Sequence, residues 1–200
     1  MSDMHLALHG LAIKKHASAA DVAELMGLAA DDVAALLATA KDRGRVVEAA
    51  GKYMLTAPAQ MALRSDYGRV YGDLRANADM NAAYDVFEKV NVQVKQLITD
   101  WQIKDVAGSK IANDHSDVSY DEKIIDRLGS LHETAEKVIG RMAAHLPRLG
   151  IYTKLLTEAL EKAEDGQREW VSDAKIASYH TVWFELHEDL LRVLARQRDE

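Results

Sequence analysis

The chain has 200 residues, a formal charge of −7 and no cysteine, so disulfides, thiolate zinc sites and cysteine nucleophiles are excluded. Hydrophobic residues make up 48% and charged residues 28%, with only two prolines and two phenylalanines, the composition of a globular chain rich in helix formers. The opening MSDMHLALHG lacks the pattern of a signal peptide, and no apolar run reaches the roughly 18 to 20 residues that span a bilayer, so a cytoplasmic protein with no membrane partner is expected.

The elements follow in chain order. LALHGLAIKKHA reads as a first helix, with Leu6, Leu8, Leu11, Ala12 and Ile13 loosely on one face and Lys14 and Lys15 near its end. Ser18 reads as the N-cap of a short second helix, with Asp21 completing a capping box; Val22, Leu25 and Met26 form its buried stripe and Gly27 its end. Leu28 plugs the turn. A third helix runs from about Ala30 to Arg43, with Val33, Leu36, Leu37 and Ala40 on one face, and Gly44 stops it. RVVEAA and KYMLT, with Gly51 between them, read as a small hairpin.

The order helix, helix, turn, helix, hairpin in SAADVAELMGL…DDVAALLATAKDRGRVVEAAGKYMLT resembles the winged-helix domains of bacterial regulators of the MarR type. YMLTAPAQ is similar to the LT-x-x-G segment that follows the wing there, without its glycine. The resemblance covers about a third of the chain and implies a dimeric DNA-binding regulator whose third helix enters the major groove. The positions facing bases would be Asp31, Asp32, Ala34, Ala35, Ala38 and Thr39, so Arg or Lys able to read guanine is missing from the first turns. Residues 1–75 carry nine basic and nine acidic side chains; residues 76–200 carry sixteen and twenty-three, so a polyanion would bind the first part. Lys14, Lys15, Thr39, Arg43, Arg45 and Lys52 are the candidate DNA contacts.

The expected architecture is mainly α: a winged helix-turn-helix over 1–58, a linker helix over 59–83 and an antiparallel four-helix bundle over 84–200. In the linker Gly68 and Gly72 share a face, either for close helix packing or as two weak points. In the bundle Tyr84, Phe87, Val90, Val94, Leu97 and Trp101 form a coiled-coil-like seam, closing within a chain or between two chains of a homodimer. KDVAGSKIANDHSDVS reads as irregular. Ser119 with Glu122 caps a helix whose apolar face includes Ile124, Ile125, Leu128, Leu131, Ala135, Val138, Ile139 and Met142. Pro147 breaks it, Gly166 ends the next helix, and the last helix runs to Arg198 with a break near Ser172.

No acidic residue lies three before a helical histidine of the second half, which excludes the di-iron pattern, and HETAE at His132 ends on Glu136 where a zinc protease needs histidine. Asn113, Asp114, His115 and Asp117 form a loop that could hold a metal or serve only as a helix entry; no metal or cofactor is expected. Trp101, Tyr152, Tyr179, His180, Trp183 and His187 are the candidate pocket for a small-molecule effector, or else plain core. No phosphate loop or nucleophile elbow is present, so no enzyme is expected. The first reading is a dimeric DNA-binding transcriptional regulator. The second is an accessory or scaffold protein whose winged helix takes a protein partner.

Overall fold

The structure is a computed structural model that describes residues 1–106 and 108–197. It is mainly helical with small antiparallel hairpins, and among the described residues no helix is long and apolar enough to cross a membrane. The chain divides into two compact units: residues 1–77 with the described residues from Glu185 on, and residues 78–184. The division falls at 77 rather than at the expected 58 or 83, because α4 packs on α1 of the same unit. Residues 198–200, including Arg198 of the expected last helix, lie outside the described residues.

The first unit begins with α1 (Asp3–Lys14), α2 (Ala19–Met26) and α3 (Ala30–Asp42). Ser18 and Asp21 close the capping box around α2, and Gly27 takes the left-handed position that ends it. Val33, Leu37 and Ala40 are buried on α3, while Leu36 is only half-buried. β1 (Val46–Ala49) and β2 (Lys52–Leu55) pair with Val46 opposite Leu55 and Ala49 opposite Lys52. Ala50 and Gly51 both adopt positive φ, 50° and 74°, as a two-residue hairpin turn requires. Ala17, between α1 and α2, forms an antiparallel bridge to Tyr53 of β2. α4 (Ala57–Val70) and α5 (Gly72–Ala76) follow, split at Tyr71. A Cβ on Gly72 would meet nothing within 4 Å, so this glycine serves no close packing. The close approach is at Gly10 of α1, where a Cβ would lie 2.9 Å from Val22 Cγ1 and 3.1 Å from Met26 Cγ.

The second unit is built on α6 (Ala78–Gln102) and α7 (Val118–Ala143). All six seam residues of α6 are at most 5% exposed in the single chain, so this seam closes within the chain. On α7 Leu131 is half-buried and His132 is buried beside it. Part of the stretch expected to be irregular forms a hairpin, β3 (Ile103–Val106) and β4 (Ser109–Ala112), with Ile103 opposite Ala112; Ala107 lies outside the described residues. Strands of four residues are too short to declare a period, which is why the pattern is hard to read. Asp117, not Ser119, caps α7: its side chain accepts from Tyr120 N at 3.1 Å. A 3₁₀ turn (Pro147–Leu149), α8 (Gly150–Glu164), α9 (Glu169–Ser172) and α10 (Tyr179–Leu194) complete the chain. α10 supplies its residues up to Phe184 to the second unit and those from Glu185 to the first.

Candidate functional site

The candidate DNA contacts divide into engaged and exposed groups. Lys14 Nζ donates to both carboxylate oxygens of Glu185, at 2.9 and 3.0 Å, with both side chains largely buried. Burial pushes the Glu185 carboxyl up, and Lys14 opposes that rise. The Thr39 hydroxyl donates to Ala35 O at 3.0 Å, satisfying itself on its own helix. Lys15 is exposed and holds a strained backbone, φ 65° and ψ −48°, at the end of α1. Arg43 ends α3, Arg45 precedes β1 and Lys52 opens β2; all three are exposed. Arg43 and Arg45 form no ion pair among the described residues, whereas Lys41 pairs with Glu48 at 2.8 Å. The exposed face of α3 carries Asp31, Asp32, Ala35, Ala38, Thr39 and Asp42. On the hairpin Val47 and Met54 are cross-strand partners and are 49% and 42% exposed.

The six residues chosen for an effector pocket do not form one group. Tyr179 and Trp183 stack at 6.3 Å, Trp183 stacks on Phe87 at 5.0 Å, and its indole N–H donates to Asn91 Oδ1 at 3.0 Å. Trp101 lies instead against the His115 ring at 4.5 Å. Tyr152 is fully buried in α8. His180 is half-buried, and burial lowers its pKa. His187 is buried in the part of α10 that belongs to the first unit. Four cavities of about 290–330 Å³ draw their walls from other residues.

In the loop before α7 each polar residue has a structural partner. Asn113 Nδ2 donates to Trp101 O and to Asp121 Oδ1, both at 2.9 Å. His115 Nδ1 lies 3.0 Å from Asp121 Oδ2, and the His115 backbone is strained at φ 58°. Asp114 accepts from Ser116 N and Oγ, which hold its carboxyl below the usual range. Arg168 Nη1 donates to His115 O at 2.7 Å. Among the described residues no three His, Asp or Glu side chains gather as a metal ion requires.

Sequence reasoning overlooked a polar network in the core of the first unit. His9 and Asp189 are both 0% exposed, and His9 Nε2 lies 2.9 Å from Asp189 Oδ1. His9 Nδ1 lies 2.8 Å from the Tyr67 hydroxyl. Burial pushes the Tyr67 hydroxyl far above its ordinary pKa, with Arg192 pulling the other way. His5 lies one turn before His9, in reach of Asp66 at 3.3 Å, and packs with His9, Tyr67 and Tyr71. Arg75 donates to the carbonyls of Val193 and Arg192 at 2.8 and 3.2 Å. Glu185, Asp189, Arg192 and Val193 follow the i, i+4, i+7, i+8 spacing of one helix face. The available signal was the pair of i, i+4 repeats, His5 with His9 and Tyr67 with Tyr71.

No protein family, curated protein or solved structure matches the chain.

Proposed function

We propose that the first unit is a winged helix that binds DNA chiefly through its hairpin end, in a transcriptional regulator. The observation that carries this reading is the trio Arg43, Arg45 and Lys52, exposed around β1–β2, with Arg43 and Arg45 outside any ion pair among the described residues. The order α1, α2, α3, hairpin and the Ala17–Tyr53 bridge support it. Cations at the hairpin hold phosphates, while Asp31 and Asp32 at the start of α3 suit only amino donors among base edges, such as that of cytosine, and not the acceptors of guanine. The buried His9–Asp189 pair meets no solvent, which supports a binding protein over an enzyme.

The test is fluorescence anisotropy of the full chain with labelled duplex DNA from upstream of its own gene, at several salt concentrations. Arg43→Ala with Arg45→Ala should weaken binding and lower the salt slope by about 2, at about 0.9 for each phosphate no longer neutralised. An unchanged slope removes these arginines from the interface. No binding by the native chain at low salt overturns the reading. That result would favour a protein partner, which the exposed Val47–Met54 pair and the acidic face of α3 would suit.

A further inference from the structure

We propose that His115, in the loop before α7 of the second unit, accepts a phosphoryl group at Nε2. Its Nδ1 lies 3.0 Å from Asp121 Oδ2, and the Asp121 side chain is 2% exposed. Asn113 Nδ2 is also 3.2 Å from His115 Nδ1, but its two hydrogens go to Trp101 O and Asp121 Oδ1, both at 2.9 Å. A carboxylate only accepts, so Nδ1 carries the proton and the neutral ring presents its lone pair at Nε2. The side chain is 32% exposed, and Nε2 has no hydrogen-bond partner among the described residues and is not a buried atom. An imidazole with one nitrogen fixed by a buried carboxylate and the other open is set up as a nucleophile.

No other histidine among the described residues combines these features. His5, His9, His132 and His187 are buried. His145 turns Nε2 itself to Asp79, an exposed carboxylate. His16 is exposed and His180 half-buried, and neither pairs with a carboxylate among the described residues. The His115 backbone is strained at φ 58°, and Arg168 Nη1 fixes it by donating to His115 O at 2.7 Å. Cations offset the neighbouring carboxylates: Arg168 Nε lies 3.6 Å from Asp121 Oδ2, and Lys104 Nζ 3.7 Å from Asp114 Oδ1. A guanidinium beside the pair suits phosphoryl oxygens better than a neutral acyl group. The donor is a phosphoramidate protonated on nitrogen. The Nε2 lone pair attacks phosphorus and forms the new N–P bond, while the donor's N–P bond breaks and its amine leaves neutral with the electron pair. The ring keeps its Nδ1 proton and gains a positive charge, which Asp121 faces. The proposal does not rest on DNA binding and is tested without DNA.

The full chain is incubated with potassium phosphoramidate at about pH 8, where a free imidazole is neutral. Mass spectrometry with electron-transfer fragmentation gives the rate at each histidine, and ³¹P and ¹⁵N NMR give the nitrogen modified. His115 should be modified at Nε2 roughly tenfold faster than His16, the exposed reference that no carboxylate orients. Asp121→Asn keeps an acceptor for Nδ1 and removes the charge. Checked for an unchanged melting profile, it should slow His115 by about tenfold and leave His16 as it was. If that variant melts lower, the ratio of His115 to His16 in the native chain decides. Equal rates at the two histidines, a phosphoryl group on His115 Nδ1, or an undiminished His115 rate in a well-folded Asp121→Asn overturns the proposal.

Discussion

Each unit buries a histidine in a relay of hydrogen bonds, and the relays end differently. In the first unit the relay runs from the Tyr67 hydroxyl through His9 to the buried carboxyl group of Asp189. In the second it runs from the Tyr179 hydroxyl to His132 and on to the Thr157 hydroxyl, which itself donates to Thr153 O. That relay ends on a neutral carbonyl. A relay ending on a buried carboxylate is expensive to interrupt, because the group left behind has no water to turn to. A neutral relay is cheaper to cut, and its sensitivity lies in whether the imidazole takes up a proton.

Asp189→Ala is the strongest way to break this contrast. It should lower the unfolding free energy by about 3–5 kcal/mol, read from urea denaturation followed by circular dichroism. Thr157→Val, at the end of the neutral relay, should cost about 1–3 kcal/mol. Equal losses would mean that the carboxylate at the end of the first relay carries no special burden.

The same helix that holds His9 sharpens the contrast sterically. α1 buries His5 and every residue from Ala7 to Ile13, so it has almost no outward face. Gly10→Ala forces a methyl against Val22 and Met26 and should cost about 1–3 kcal/mol. Gly68→Ala on α4 meets only Arg75 Nη1 at an ordinary 3.7 Å and should stabilise by about 0.5–1 kcal/mol. Thermal melts of the two variants should therefore move in opposite directions, and shifts of the same sign would show that α1 has room at Gly10.

These residues also mark what was legible in the chain. The α6 seam from Tyr84 to Trp101 announced itself because its buried residues keep to one narrow face, at intervals of 3, 3, 4, 3 and 4. The cap at Ser18 and the stop at Gly27 were legible because each is a local rule. The first helix was legible in LALHGLAIKKHA, but its polar contacts were not, since a helix buried nearly all round shows only a loose period and His9 finds partners 58 and 180 residues away. Long-range polar pairing leaves no local mark. The aromatic residues of α10 were visible as a cluster, but not the placing of Tyr179 and Trp183 against His132, Phe87 and Asn91. Nor could spacing reveal that Lys14 and Thr39 would be engaged by Glu185 and Ala35.

The smallest effect concerns protons. Thr157 donates its own hydrogen to Thr153 O, so it accepts from His132 Nε2–H, and the Tyr179 hydroxyl donates to Nδ1. His132 is thus neutral, and burial holds its pKa below 6.5, against the pull of Glu136 and Glu164. The unfolded chain, with a free histidine, takes up its proton first as the pH falls through about 6.5. The stabilising contribution is therefore complete above that pH and declines as the solution is acidified toward the folded pKa. His180, lowered by burial too, contributes in the same direction, so the native slope alone does not isolate His132. His132→Gln keeps a donor and an acceptor but does not titrate. Its urea midpoint should fall less than that of the native chain between pH 7.5 and 5.5. Parallel profiles would mean that His132 charges as readily in the folded unit as in water, and the relay to Thr157 would then not be a neutral one.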